Sequence, residues 1–288
     1  MVTNIWDLLK GTIQSFIADN ALSRGASMAF YALTSLAPVL LLVIAVAGLV
    51  FGEDAARNAL VGQLQGLMGA QSAALLQGAI ADAGKKSAGI VATAIALGTL
   101  LLTASGVFGE MQSALNAIWK VESKGASLSG ILRARAASLG LVAALGFMLA
   151  ISLVVSAAIT AFGTYVNAYL PFGEVILSIL NTVISFLLIA LLFAAVYKVL
   201  PDVKIEWNDV IVGSLVTSFL FGIGKSLIGW YLGSSAVSSS YGAAGALIII
   251  LLWIYYSSQI FLLGAEFTRT YAERHGSHGV PLPQPASA

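Results

Sequence analysis

Long charge-free runs alternate with short polar connectors along the chain, and that alternation is the strongest structural signal it carries. The dominant run is AAGALIIILLWIYYSSQIFLLGA, from Ala243 to Ala265, 23 positions without a charge. As an α-helix rising about 1.5 Å per residue it extends roughly 34 Å, enough to cross a hydrocarbon core of about 30 Å. Arg24 and Glu53 bracket 28 uncharged residues, 23 more separate Lys86 from Glu110, 38 run from Ala136 to Gly173, and 23 fill Val175–Tyr197. Another apolar run starts near Asp209 and is interrupted by Lys225. The pattern predicts an all-α polytopic membrane protein with six transmembrane helices, near residues 30–52, 88–110, 137–163, 175–198, 209–232 and 243–267. Pro38 predicts a kink or break in the first span.

The segments between the spans are legible in the same way. Residues 3–18 place Ile5, Leu9, Ile13 and Phe16 on one helical face, with Asn4, Asp7, Lys10 and Gln14 largely elsewhere. This N-terminal amphipathic helix either lies in the membrane interface or packs on its own bundle. Residues 53–86, with apolar positions at Leu60, Leu64, Leu67, Leu75, Leu76 and Ile80, predict one or two amphipathic helices broken near Gly69. They are expected on the extracytoplasmic side, outside the bilayer or lying on it. Residues 1–274 read as a single membrane domain and 275–288 as a flexible cytosolic tail.

Composition agrees with the pattern. The chain is 59% hydrophobic and 9% charged, where soluble domains carry about 25% charged residues. Asp7, Lys10 and Asp19 interrupt the N-terminus too early for a cleavable signal peptide. Six spans put both termini on one side, and the basic residues orient them. Lys10, Arg24, Lys120, Lys124, Arg133, Arg135, Lys198, Lys204, Arg269 and Arg274 fall on that side, against Arg57, Lys85 and Lys86 on the other. The positive-inside rule then predicts cytosolic termini. A net charge of +1 without a basic block gives no support for a nucleic-acid partner. With no cysteine, thiolate metal sites and disulfides are excluded. Neither a nucleotide-binding nor a hydrolase motif is present, and no cofactor is expected. His275 and His278, three apart in the tail, are two imidazoles and do not by themselves complete a metal site.

Candidate chemistry therefore rests on polar residues inside the spans. Tyr255, Gln259 and Glu266 share one stripe of the last span, at about 100° per residue. Arg24, Ser27, Tyr31 and Ser35 share one in the first, Thr99, Thr103 and Glu110 in the second, Ser178, Asn181 and Ser185 in the fourth, and Ser214, Ser218 and Lys225 in the fifth. Such residues either hydrogen-bond helices together or line an internal polar cavity. The cavity candidates are Lys225, Tyr31, Ser35, Thr103, Asn181, Ser185, Ser218, Tyr255 and Gln259. Asp19, Arg24, Glu110 and Glu266 fall near the cytosolic end and form either a structural charge cluster or a gate. Lys225 lies roughly 24 Å along its helix from Asp209. It either snorkels to the outer interface or attracts an anionic lipid headgroup or small molecule.

Four stretches carry a resemblance: Asp19-x4-Arg24 followed by GASMAFYALTSLAPVLLL, SGVFGEMQSALNAIWKVE from Ser105, VYKVLPDVKIEWNDVIVG from Val196, and SSSYGAAGALIIILLWIYYSSQIFLLGAEF from Ser238. With these the chain resembles the YihY/virulence factor BrkB family of bacterial inner-membrane proteins over roughly Trp6–Arg269. The resemblance implies six helices in the bacterial inner membrane with cytosolic termini. It also implies a link to virulence and to the movement of lipid. The ribonuclease label often attached to such proteins finds no metal-ligand set or activated nucleophile in these residues. The expected function is transport or lipid translocation through a polar cavity, with membrane lipids as partners. The alternatives are a scaffolding membrane protein or, with least support, a membrane-embedded hydrolase.

Overall fold

The computed structural model describes residues 5–68, 70–84, 106–121, 140, 143–152, 154–155, 173–234 and 237–276. All regular structure among them is helical. In chain order the helices are α1 (Ile5–Ala18), α2 (Ala21–Phe51), α3 (Glu53–Met68), α4 (Ala70–Gly84), α5 (106–118), α6 (Ala143–Ser152), α7 (Gly173–Val199), α8 (Trp207–Ser234) and α9 (Val237–Arg274). Among the described residues α7, α8 and α9 are long and apolar enough to cross a membrane, and α2 joins them if its two halves are taken as one span. Those halves, Ala21–Ala37 and Val39–Phe51, meet at 52°. The break falls on Pro38, which has no N–H to give to the helix ladder and crowds the preceding turn. The second predicted span lies mostly outside the described residues, as does much of the third.

Two expectations on the connectors are sharpened. The helical segment after the first span divides as α3 and α4 on either side of position 69. It does not stand apart from the bundle: Leu60, Leu64, Met68, Ala73, Leu76 and Ile80 enter the same core as α2 and α9, and α3 also touches α8. Gly52 joins α2 to α3 at φ 85°, a conformation that side chains resist. The last helix runs past residue 267 to Arg274, and its final turns pack on α1. Asn20 forms the corner between α1 and α2 in the left-handed region, φ 55° and ψ 39°, which asparagine tolerates better than most residues.

α9 is the axis of the assembly, and what joins it to α8 is small-residue packing. Gly213 and Thr217 on α8, four apart, meet Thr268 and Gly264 on α9, also four apart. A methyl on Gly264 would collide with Thr217 Oγ1 and come within 2.6 Å of Tyr197 Oη; one on Gly213 would collide with Thr268 Oγ1. Farther along, Gly224 faces Tyr256 and Ile260. As α8 residue numbers rise the α9 partners fall, so the two helices run antiparallel. Both threonines return their hydroxyls to their own helices, Thr217 to Gly213 O at 2.7 Å and Thr268 to Gly264 O at 2.7 Å. Each helix thus turns toward its neighbour's glycine a threonine whose hydroxyl is already satisfied by its own helix. Tyr197 of α7 closes the third side, donating to Phe261 O at 2.7 Å and lying 3.1 Å from Thr217 Oγ1.

Replacing Gly264 with Ala forces its methyl into the space of Thr217 and Tyr197, an overpacking that costs about 1–3 kcal/mol. The thermal midpoint in detergent is expected to fall for Gly264→Ala and to recover in part when Thr217→Ala makes room. A Gly264→Ala protein as stable as the parent would show that the two helices do not meet this closely.

Candidate functional site

At the end of the bundle where α9 finishes, three elements bring charge together. Asp19 leaves α1 just before the Asn20 corner, Lys120 follows α5, and Glu266, Arg269 and Glu273 lie on α9. Lys120 is held at φ 54°, left-handed backbone that disfavours a lysine. It is the residue after the cap of a C-terminal motif in which Lys120 N–H bonds Ala117 O at 3.1 Å and Val121 N–H bonds Asn116 O at 2.9 Å. From there its ammonium pairs with Asp19 Oδ1. Arg269 donates Nε to Glu273 Oε1 at 2.7 Å and Nη1 to Ile118 O at 2.8 Å, and its Nη1 stands 3.5 Å from Asp19 Oδ2. Arg24 donates from Nε to the Asp19 backbone carbonyl at 3.1 Å. Beside this knot Asn116 clamps the α7–α8 turn: it donates to Asp202 Oδ2 at 2.8 Å and accepts the Asp202 N–H at 2.8 Å.

Glu266 is the exception in this well-bonded group. It is fully buried, and no donor among the described residues reaches either of its carboxylate oxygens or Asp19 Oδ2. Asp19, Arg269 and Lys120 lie close enough to act on it electrostatically. The predicted stripe Tyr255, Gln259, Glu266 is continuous and lies against α2 and the α1–α2 corner. Gln259 Nε2 approaches Leu22 O at 3.4 Å and fills the space a side chain at Gly25 would need, while Tyr255 packs half-buried on the core. Of the predicted charge cluster the structure brings Asp19, Arg24 and Glu266 together. Glu110 is half-buried on α5, two turns before Asn116, and makes no ion pair among the described residues. Lys120, Arg269 and Glu273 were not among the sequence candidates: as basic connector and tail residues they counted toward orientation, and only the fold shows which carboxylates they meet.

The cavity candidates are spread over several environments. Ser35 and Ser218 are buried, and Ser218 donates to Phe186 O at 3.0 Å, tying α8 to α7. Tyr31 is exposed, stacked edge-on to Phe30 and lying against Gly106 of α5. Asn181 and Ser185 are exposed on α7. Thr103 lies outside the described residues. Lys225 is exposed on α8 and lines a cleft of about 310 Å³ with Ala59, Gly62, Gln63 and Gly66 of α3 and Leu149 and Ser152 of α6. Among the described residues no carboxylate pairs with it. Three glycines or alanines on α3 leave the cleft wide at this point, and Gln63, Ser152 and the ammonium are its polar groups.

Comparison with known proteins places this arrangement. The family described as Virulence factor BrkB matches residues 12–288. The chain belongs to that family. Among curated proteins it is 25% identical over 280 residues to a UPF0761 membrane protein of Alkalilimnicola ehrlichii, covering 92% of this chain and 59% of the relative. It is 32% identical over 179 residues to one from Ralstonia nicotianae (62% and 39%) and 29% identical over 177 residues to one from Mannheimia succiniciproducens (61% and 59%). The chain thus spans between 39% and 59% of the length of these relatives. No solved structure matches it. The names of these relatives describe membrane proteins.

Arg269 reaches three partners with one planar group, a geometry that an ammonium cannot reproduce. Arg269→Lys is expected to cost about 2 kcal/mol of stability by leaving the Ile118 carbonyl and one carboxylate without donors. A matching drop in the thermal midpoint checks it, and an unchanged midpoint would mean that the knot contributes little.

Proposed function

We propose that this member of the BrkB family translocates an anionic amphiphile, a lipid or a small molecule, across the bacterial inner membrane, with its termini in the cytosol. The observation that carries the reading is Lys225. A cation without a described counter-charge, on an otherwise apolar membrane helix, either reaches water or awaits an anion, and this one borders a cleft between α3, α6 and α8. In the topology drawn from the basic residues the cleft belongs to the extracytoplasmic half. Tyr31, Ser35, Thr103, Asn181, Ser185, Ser218, Tyr255 and Gln259 are the polar groups along which a headgroup would move in this reading, and the Asp19–Arg24–Glu266 junction is its cytosolic closure. Glu110, half-buried on α5, would stand near that closure.

A scaffolding role is the second reading, and a specific observation favours it. The hydroxyls of Thr217, Ser257, Ser258, Thr268 and Thr270 bond carbonyls of their own helices, and Ser218 bonds a neighbouring helix. These are the bonds that pack helices.

The two readings separate in proteoliposomes carrying a fluorescent anionic lipid whose outer-leaflet copies are bleached chemically. The parent protein is expected to pass the label between leaflets, Lys225→Ala to slow it about tenfold, as loss of one charge-assisted contact worth about 1.4 kcal/mol would do, and Lys225→Arg to restore it. Membrane abundance should stay constant throughout. No leaflet exchange above empty liposomes, or equal exchange in parent and Lys225→Ala, would remove the case for translocation through this cleft.

A further inference from the structure

We propose that α1 is a membrane-surface element: its Ile5, Leu9, Ile13 and Ile17 face lies in the headgroup–acyl boundary of the bilayer where α2 begins, while another face stays packed on α9. The helix has 14 residues, about 21 Å at about 1.5 Å each, too short to cross a hydrocarbon core of about 30 Å. At about 100° per residue its side chains fall into three sectors. Leu8 and Thr12 are buried, and a side chain on Gly11 beside them would meet Arg274 Nη2 at 2.8 Å and Thr270 at 3.3 Å, so this sector is the one seated on α9. Ile5, Trp6, Leu9, Ile13 and Ile17 form the second sector, each between 44% and 77% exposed. Asp7, Lys10 and Gln14 form the third and are exposed as well.

Packing on α9 thus leaves a contiguous face of five large apolar side chains uncovered, a surface that water disfavours. Full immersion in lipid fails for the opposite reason, since it would strip Asp7, Lys10 and Gln14 of water. A helix lying along the boundary satisfies both sectors at once. The surroundings supply that boundary. Across the Asn20 corner Leu22 and Phe30 of α2 are exposed too, and on the bent apolar helix of a membrane protein such side chains face acyl chains. The bilayer therefore already stands beside the end of α1, and no further partner is needed to cover it. Trp6, at the edge of the face, is a residue type that settles at headgroup level. The two placements that the pattern of α1 allows, interface and bundle, are both taken up, by different faces. The Asp19 contacts with Lys120 and Arg269 start one residue beyond α1, so the membrane surface helps to hold that carboxylate in the charged junction.

The chain contains no cysteine, so a single introduced thiol carries a spin label without background. The test places one label at a time in the full-length chain in lipid nanodiscs, through Leu9→Cys, Ile13→Cys and Ile17→Cys on the apolar sector and Lys10→Cys and Gln14→Cys on the polar one. All five positions are exposed, and a disturbed fold at one leaves the other four to decide. Oxygen concentrates in acyl chains and a nickel chelate in water, so the ratio of the two collision rates reads depth. It is expected to be several-fold higher at 9, 13 and 17 than at 10 and 14. Equal ratios at all five sites would overturn the proposal, because the apolar sector would then lie in water. Low collision rates with both reagents at 9, 13 and 17 would overturn it as well, because a second copy or another part of the chain would then cover that face. Neither readout involves lipid movement, so the proposal can fail while translocation stands, and the reverse.

Discussion

Among the described residues, Gly213 and Thr217 on α8 interlock with Thr268 and Gly264 on α9 at close range, and the rest of the bundle is placed by this contact. Inside a bilayer, burying apolar surface between helices gains little, because the lipid is as apolar as the protein. Association must come from close van der Waals contact and from hydrogen bonds. Glycine lets the backbones approach, and a threonine whose hydroxyl is bonded to its own helix fills the gap without leaving an unmet donor. The two Gly-x3-Thr pairs do this reciprocally, which fixes both the antiparallel direction and the axial register of α8 on α9. Tyr197 then reads that register, since its hydroxyl lies between Thr217 and the Phe261 carbonyl, and so α7 is seated as well.

α9 uses its opposite side for a different purpose. At about 100° per residue, Gly264 and Thr268 fall on one face, while Gln259, Glu266, Arg269 and Glu273 lie well round the helix from them. The second face meets the α1–α2 corner and the end of α5, regions where the chain leaves its apolar runs. There the joining forces are ionic and directional. Lys120 is kept in left-handed backbone that costs about 1 kcal/mol, and it is the residue that reaches Asp19. Backbone strain of this kind persists only where surrounding contacts over-determine it, as the Asn116–Asp202 clamp and the Arg269–Ile118 bond do here.

Much of this was legible in the order of residues. Charge-free runs longer than a bilayer requires can be read without a fold, and Pro38 announced the bend in α2 because its missing N–H acts locally. The stripe Tyr255, Gln259, Glu266 was visible because helical periodicity alone sets it. What the stripe faces was not visible. Contacts between Gln259 and Leu22, 237 positions apart, or between Asp19 and Lys120, 101 apart, bridge long stretches of the chain, and no local rule selects among the many polar residues available to meet. The α3–α4 segment shows the same limit from the other side: its amphipathic pattern identified an apolar face, and only the fold supplies α2, α8 and α9 as the surface that covers it.

The division of labour on α9 also bears on how such a bundle could change shape. The Gly/Thr seam is short-range and tolerates no partial separation, since a gap of even a fraction of an ångström forfeits much of the contact energy. The ionic junction decays more slowly with distance and responds to charge. A movement that separates the α1–α2 corner from α9 therefore meets less resistance than one that separates α8 from α9. Lys225 sits on α8, which the Gly/Thr seam ties to α9.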